Sequence, residues 1–130
     1  MTAAMRLELI PLPCTDVDVA KAFYVDRVGF GVDHDVQPGN GMRVVQLTPP
    51  GSACSIAIGR GLTEMEPGSL DNLQMVIADA DATHADLVAR GVEVSDVQDL
   101  AWGRFVGFAD PDGNRWALQE LPDWSAGAAE

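Results

Sequence analysis

The sequence repeats itself at a spacing of about sixty residues, and this repeat constrains the fold more than any other feature of the chain. Gly51 and Gly113 lie 62 positions apart. Four further pairs occur in the same order at offsets of 61 to 63: Pro49 with Pro111, Arg43 with Arg104, Asp16 with Asp79, and Gly29 with Gly91. Five landmarks at nearly one offset indicate that a supersecondary unit has been duplicated.

The second copy ends in a predicted β-hairpin between residues 102 and 120. Phe105, Val106 and Phe108 precede the break, and Trp116 follows it. The break reads Asp-Pro-Asp-Gly-Asn at 110–114. Its proline fixes φ, its glycine accepts a positive φ, and its polar side chains bond their own backbone. The segment 43–58 has the same shape around Gly51, so each unit is predicted to end in such a hairpin.

The first unit reads as a strand, a helix and three strands. Its strands are predicted at 6–12, 30–36, 42–48 and 54–58. Thr15 or Asp16 caps the helix, which runs to about Val28 and is stopped by Gly29. A glycine-rich and acidic linker follows at 59–69.

The second unit repeats this order. Its strands are predicted at 70–78 and 92–97 and in the hairpin, and Asp79 or Asp81 caps a helix that ends at Arg90. A tail occupies 122–130. The sequence therefore predicts one domain of α+β class, built from tandem βαβββ units at 5–59 and 70–121.

The composition of the chain limits the classes of function that it can have. The length of 130 residues, with 47% apolar and 22% charged residues, suits one compact domain. A net charge of −12 with eight basic residues argues against nucleic acid and leaves room for a cationic ligand. No segment resembles a signal peptide or membrane span, and Cys14 and Cys54 do not form a disulfide framework. A cytoplasmic protein without a membrane partner is expected.

Two segments carry a resemblance to a known family. One is the helix and the residues after it, with the pattern Ala20, Phe23, Tyr24, Gly29 and Phe30, and the other is Trp102-Gly103-Arg104 through the 110–114 turn. Together they resemble the vicinal oxygen chelate superfamily of glyoxalases, bleomycin resistance proteins and extradiol dioxygenases. The resemblance implies that each unit curls a mixed sheet into half of a cup around a cavity. It also implies a homodimer, because a second chain often closes the cup.

The resemblance also locates the metal site of catalytic relatives. Their ligands come from the first and last strand of each unit, and the equivalent positions here are Leu9, Ser55, Leu73 and Ala117. Three of these side chains have no lone pair, and one hydroxyl does not hold a divalent ion. No metal and no other cofactor is expected.

A shift of one residue changes this set without restoring a metal site. It brings in Glu8 and Gln74, with Asn72 on the other side, but no histidine. His34 and His84 fall on a strand and a helix that carry no ligand position, so we interpret them as ordinary surface or strand residues.

The strand alternation implied by these positions predicts a mostly apolar pocket. Trp102 would stack on a planar ligand, while Arg104 and Gln119 would orient its polar groups. The whole predicted lining is Leu9, Ser55, Ala57, Leu73, Met75, Trp102, Arg104, Ala117 and Gln119.

The sequence favours a metal-independent protein that binds or sequesters a small organic molecule, aromatic or cationic, in the manner of bleomycin resistance proteins. Two alternatives stay open. One is a glyoxalase-like or dioxygenase-like enzyme that uses an off-pattern metal site, and the other is a protein with a filled cavity that acts through a protein partner.

Overall fold

The computed structural model describes residues 3–122, which form two units of identical element order. The first unit contains β1 (Leu9–Pro11), α1 (Val17–Ala22), β2 (Gly31–Gly39), β3 (Met42–Thr48) and β4 (Ser55–Arg60). The second contains β5 (Leu73–Ile77), α2 (Ala80–Ala89), β6 (Gln98–Leu100), β7 (Gly103–Ala109) and β8 (Arg115–Glu120). The α+β fold of two βαβββ units is confirmed. Beyond Pro122, the predicted tail lies outside the described residues.

Each unit forms one four-stranded mixed sheet, and the two sheets share one topology. The strand order is β1-β4-β3-β2 in the first sheet and β5-β8-β7-β6 in the second. The first and last strands of each unit pair in parallel, and the remaining neighbours are antiparallel. The duplication read from the glycine and arginine offsets therefore extends to the pairing of the strands.

The helices begin where the sequence predicts. Asp16 Oδ1 accepts hydrogen bonds from the backbone N–H groups of Asp18 and Val19, at 3.0 and 3.2 Å. Asp79 Oδ1 accepts from Ala82 N at 3.0 Å. These bonds satisfy N–H groups that the first turn of a helix leaves without partners.

The first helix differs from the prediction in its winding. After α1, residues Phe23–Val28 form a π-helix that ends at Gly29, whose N–H donates to Tyr24 O at 2.9 Å. Gly29 has φ of 97°, the left-handed conformation that glycine adopts without strain. The span to Val28 is as predicted, but nothing in the sequence indicated the wider turns.

The strand predicted at 92–97 is wrong. These residues lie outside the strands, and the edge strand β6 begins at Gln98. Ser95 N donates to Gly107 O at 2.8 Å, and Ser95 Oγ accepts from Gly107 N, also at 2.8 Å. These two hydrogen bonds hold the loop against β7. They do not continue the ladder, because the acceptor for the Gly107 N–H is the Ser95 side chain and not a backbone carbonyl.

One hydrophobic core joins the two units. It lies on the helix-facing side of both sheets and includes Tyr24 and Phe30 from the first unit and Phe108 and Trp116 from the second. The ring centroids of Phe30 and Trp116 are 6.0 Å apart, and those of Phe108 and Trp116 are 6.2 Å apart. Burying one such side chain contributes roughly 2–3 kcal/mol, so these contacts hold the two units together.

A buried polar network crosses the same boundary. Tyr24 Oη donates to Asp110 Oδ2 at 2.7 Å and accepts from Trp116 Nε1 at 2.9 Å. Asn114 Nδ2 donates to Asp110 Oδ2 and to Pro13 O, both at 2.9 Å. Burial raises the pKa of the Tyr24 hydroxyl, and the neighbouring Asp110 carboxylate raises it further. The turn chemistry read from 110–114 thus also connects the two units.

Candidate functional site

Each sheet has one face in the shared core and one face turned away from it, which we call its open face. In β8, Trp116 and Leu118 are buried in the core, whereas Arg115, Ala117 and Gln119 alternate onto the open face. Because both sheets give their helix-facing sides to one core, neither open face takes part in that core.

The prediction placed Leu73 and Met75 on the same face as Ala117, and this is wrong. Leu73 pairs with Trp116 and Met75 with Leu118, so both side chains pack against the core. The predicted phase rests on counting back from the helix caps, but the two units differ in this count. Leu9 lies seven residues before Asp16, whereas its counterpart Gln74 lies five residues before Asp79, so the connection before α2 is two residues shorter. The neighbour of Ala117 on the open face is Gln74.

Arg104 also lies on the wrong face for the predicted pocket. It pairs with Glu120 across the ladder, on the helix-facing side. Its Nη1 lies 2.8 Å from Asp81 Oδ2, and its Nε lies 2.6 Å from Asp99 Oδ1. These carboxylates hold the pKa of the guanidinium above its usual range. Arg104 ties a strand to the first turn of α2 and is not directed at the open face.

Trp102, Ala117 and Gln119 do belong to the open face of the second sheet. Trp102 lies in the turn between β6 and β7, with 57% of its surface exposed. Gln119 Nε2 donates to Trp102 O at 2.8 Å, which fixes the backbone beneath the indole. Gln119 pairs with Phe105 in the ladder, so an aromatic ring and an amide lie side by side.

Two adjoining cavities, of about 450 and 310 Å³, occupy this open face. They share Asn72, Ser95, Gln98, Gly107 and Ala117, and we call them together the second-sheet groove. Arg115 and Asp71 line one end only, while Leu100, Trp102 and Phe105 line the other. Sites for small organic molecules have this size and this mixture of apolar walls with a few polar groups.

Most of the polar groups in the groove were missed from the sequence. Gln74 and Asn72 appeared only through the one-residue shift, and Ser95, Gln98 and Arg115 were not identified. The alternation of Leu73, Met75 and Ile77 with Gln74 was the available signal, because three apolar residues at period two mark a core-facing edge. Asn72 has φ of 62°, a left-handed conformation that asparagine tolerates better than most residues.

The open face of the first sheet carries Leu9, Ser55 and Ala57, with Leu9 opposite Ser55 in the ladder. These three residues do not line the second-sheet groove, so the single pocket predicted to contain them together with Trp102 and Ala117 is not formed within one chain. Ser55 is buried and takes part in a chain of side-chain hydrogen bonds. The Thr48 hydroxyl donates to the Asp33 carboxylate, which can only accept. Ser55 must therefore donate to Thr48 across their 2.6 Å contact, while Gln46 Nε2 donates to Ser55 Oγ at 3.2 Å.

These contacts decide how well the metal positions of the fold suit a cation. With the corrected phase, the four positions are Leu9, Ser55, Gln74 and Ala117. Ser55 already donates its proton to Thr48 and accepts from Gln46, so it has little left to offer a cation. The donor set does not fit a divalent metal, because two positions are apolar and the others are neutral. Within residues 3–122, no three His, Cys, Asp or Glu side chains cluster as metal ligands.

A larger hollow, of about 650 Å³, lies elsewhere, between the π-helical segment and the loop after α2. Arg27 Nη1 reaches across it to Gly91 O at 2.9 Å. The hollow lies on the helix side of the molecule, away from both open faces. We therefore take the second-sheet groove, which has directed amides and an exposed indole, as the candidate site.

The cysteines do not add a reactive group to this site. Burial raises the pKa of the Cys14 thiol, and Asp112 and Asp110 raise it further, so the nucleophilic thiolate is disfavoured. Both Cys14 and Cys54 are free thiols. Neither helix of the described part of the chain is long and apolar enough to cross a membrane.

Two βαβββ units, each with a four-stranded mixed sheet, define a class of duplicated α+β proteins. The chain belongs to the Glyoxalase/Bleomycin resistance protein/Dioxygenase superfamily, whose sequence model matches residues 6–118.

Several solved structures are similar over nearly the whole chain. TnmS3, an antibiotic binding protein from Streptomyces sp. CB03234, is 38% identical, with 94% of this chain and 100% of TnmS3 covered and a TM-score of 0.85. A glyoxalase/bleomycin resistance protein from the same Streptomyces is 39% identical over 88% of this chain and 100% of its own, with a TM-score of 0.78. A superfamily member from Sphaerobacter thermophilus DSM 20745 is 30% identical over 90% and 98% of the two chains, with a TM-score of 0.79.

Proposed function

We propose that this protein binds and sequesters a small organic molecule in the second-sheet groove, without a metal ion. The observation that carries the proposal is the groove itself, an open cavity with an exposed indole at one end and neutral amides along its floor. The similarity to TnmS3, an antibiotic binding protein, supports a ligand of antibiotic type. The free thiols of Cys14 and Cys54 suit a reducing cytoplasm.

The groove is suited to holding a ligand more than to transforming it. Gln74, Asn72 and Gln98 present amides that both donate and accept, and Trp102 presents a rigid aromatic face. An enzyme of the glyoxalase or dioxygenase type would need a metal donor set that Leu9, Ser55, Gln74 and Ala117 do not supply. Binding without turnover is therefore the function that these side chains support best.

A second copy of the chain completes the site in this proposal. Val76, Leu100 and Trp102 are exposed apolar residues of the second sheet, and Val76 is 66% exposed. Val76 lies on the edge strand β5, and the other two lie at the opposite edge. Exposed apolar residues on one face of a sheet favour association. The open face of a first sheet, from another copy, offers a curved surface of the same topology to cover them. We therefore propose a homodimer in which the groove is enclosed between two chains.

The test is a thermal-shift screen of aromatic natural products, followed by calorimetric titration of each stabilising compound. Binding to wild type should weaken at least about fivefold in Trp102→Ala and should largely return in Trp102→Phe, because an aromatic face is what the ligand contacts. Val88→Ala, which truncates an exposed apolar residue on α2, is the matched control and should bind normally. Ligands that stabilise wild type and Trp102→Ala equally would show that Trp102 is not part of the site. Metal-dependent turnover of a stabilising compound would favour the enzymatic alternative.

A further inference from the structure

We infer that the ligand is an elongated, uncharged molecule with an aromatic end at Trp102 and an oxygen acceptor at the other end, where Arg115 binds it. This inference rests on the proposed function, since it describes the ligand of the same groove. It assigns to Arg115 the part that the sequence suggested for Arg104.

The groove has a direction, because its two ends differ in chemistry. Leu100, Trp102 and Phe105 line one end, and Arg115 with Asp71 lines the other. The open-face residues of β8 run from Arg115 through Ala117 to Gln119, whose amide bonds the Trp102 carbonyl. Four residues of extended strand span about 13 Å, so a ligand that contacts both ends is longer than a single ring.

Arg115 has bonding capacity left at its end of the groove. Its Nε lies 2.8 Å from Asp71 Oδ1, and the side chain is 68% exposed. Among the described residues, its two terminal nitrogens have no hydrogen-bond partner. A guanidinium carries five N–H groups in a planar fork, so those nitrogens remain available to a carbonyl or hydroxyl oxygen.

The charges around the groove favour a neutral acceptor over an anion or a cation. Asp71 already compensates the charge of Arg115, and Arg115 holds the pKa of the Asp71 carboxyl below its usual range. The remaining polar lining is neutral, consisting of Asn72, Gln74, Ser95 and Gln98. An anion would also approach a chain of net charge −12, and a cation would have to sit beside a guanidinium.

The middle of the groove is suited to the same kind of molecule. Ser95 Oγ accepts the N–H of Gly107 at 2.8 Å, which leaves its hydroxyl proton free to donate. Gln74 lies opposite Ala117 in the ladder, and the side chain of Ala117 is only a methyl group. A planar ligand therefore has room above Ala117 and Gly107, with hydrogen-bonding groups at its edges.

The test uses three probes that share a biphenyl body and differ in the end group: para-phenylbenzamide, para-phenylbenzoate and para-phenylbenzylamine. Dissociation constants come from two-dimensional NMR titrations of the full chain at two salt concentrations. The benzamide should bind best, with little dependence on salt. Arg115→Gln should weaken benzamide binding about fivefold and abolish its preference over the benzylamine, since a hydrogen bond from a charged donor is lost at an exposed site and the Asp71 carboxylate is left uncompensated.

Two variants separate this inference from the proposed function. Arg90→Gln is the matched control, because Arg90 is also exposed and also bonds one aspartate, Asp86, through Nε, but lies outside the groove. It should bind all probes like wild type, and Trp102→Ala should weaken all three alike. If the benzylamine binds best to wild type, or if Arg115→Gln leaves the benzamide preference intact, the inference is wrong, although the groove remains a binding site. If no probe shifts any resonance of the groove in wild type, both this inference and the assignment of the groove as the binding site are wrong.

Discussion

Arg104 repeats in the second unit the position and the contacts of Arg43 in the first. Arg43 Nη1 lies 2.9 Å from Asp18 Oδ1, in the first turn of α1, and Arg104 Nη1 lies 2.8 Å from Asp81 Oδ2, in the first turn of α2. Each arginine also bonds an aspartate on the edge strand or near it, Asp35 in one unit and Asp99 in the other. The repeated arginine therefore joins strand and helix, and its sequence offset of 61 marks a structural contact.

Arg43→Gln should destabilise the protein more than Arg104→Gln. Arg43 has 13% of its side-chain surface exposed and binds Asp35 through two nitrogens, whereas Arg104 is more exposed. We expect Arg43→Gln to lower the free energy of unfolding by on the order of 1 kcal/mol, measured by chemical denaturation. Arg104→Gln should leave probe binding in the groove unchanged, and a loss of binding there would contradict its assignment to the helix-facing side.

The same cluster predicts a loss of stability in acid. Hydrogen bonds from Arg43 and then from Lys21 hold the pKa of Asp35 well below its ordinary value of 3.8. Near and below pH 3.8 the unfolded chain takes up a proton that the folded chain does not, so this contribution is full at neutral pH and declines as the pH falls. Asp35→Asn should therefore show a shallower acid decline of unfolding free energy than wild type. Equal slopes in the two proteins would show that the decline arises elsewhere.

Tyr24 predicts a loss of stability in alkali. Its pKa is raised in the folded state, so stability from the neutral phenol is present below its ordinary value of 10.0 and is lost as the pH rises above it. Tyr24 is the only tyrosine in the sequence, so the appearance of phenolate absorbance should coincide with unfolding. Tyr24→Phe should be about 2 kcal/mol less stable at neutral pH, because Asp110 and Trp116 lose a buried partner, but should lack this alkaline decline. Phenolate formation in a still-folded protein would contradict the buried contact.

Divalent metal should neither stabilise this protein nor be needed by it. The positions that serve as ligands in catalytic relatives hold Leu9, Ser55, Gln74 and Ala117, and none of them offers a charged or imidazole donor. Dialysis against a chelator, followed by addition of zinc, manganese, nickel or ferrous iron, should leave the melting temperature and probe affinities unchanged. A stoichiometric ion that is lost in Ser55→Ala would contradict this.

The protein should sediment as a dimer of the 13.8 kDa chain at micromolar concentration. Val76→Arg should shift it toward monomer, because it would place a charge at an exposed apolar position on the edge of the open face. Val88→Arg places the same charge at a similarly exposed valine on α2 and should leave the dimer intact. A wild-type protein that sediments as a clean monomer would exclude the enclosed groove.

The sequence was a good guide to the fold because repeated glycines and helix caps are local signals. The predicted helix caps, Asp16 and Asp79, bond backbone N–H groups two or three residues further on, and Gly29 ends the first helix as predicted. The candidate site was harder to predict, because it depends on which face of β5 meets β8. A phase error of one residue exchanged Leu73 for Gln74, since the side chains of a strand alternate between its faces.

Other features of the site have no sequence signal of their own. Arg104 looked like a ligand contact because it follows Trp102 closely, but only the ladder shows that it faces the helix. Ser95 lies in a stretch that alternates like a strand, and its bond to Gly107 O replaces a regular pairing. Such contacts link residues distant in sequence, so local patterns do not reveal them.

The lengths of the edge strands distinguish the two halves of the duplicated fold. β2 spans nine residues, while its counterpart β6 spans three. The shorter strand leaves Ser95 and Gln98 at the rim of the second-sheet groove, where a full-length strand would have continued the sheet. The two halves thus have unequal rims. The first keeps a long edge strand beside its Ser55 hydrogen-bond chain, whereas the second ends early, so that substitutions at its rim would alter the groove without disturbing the common core.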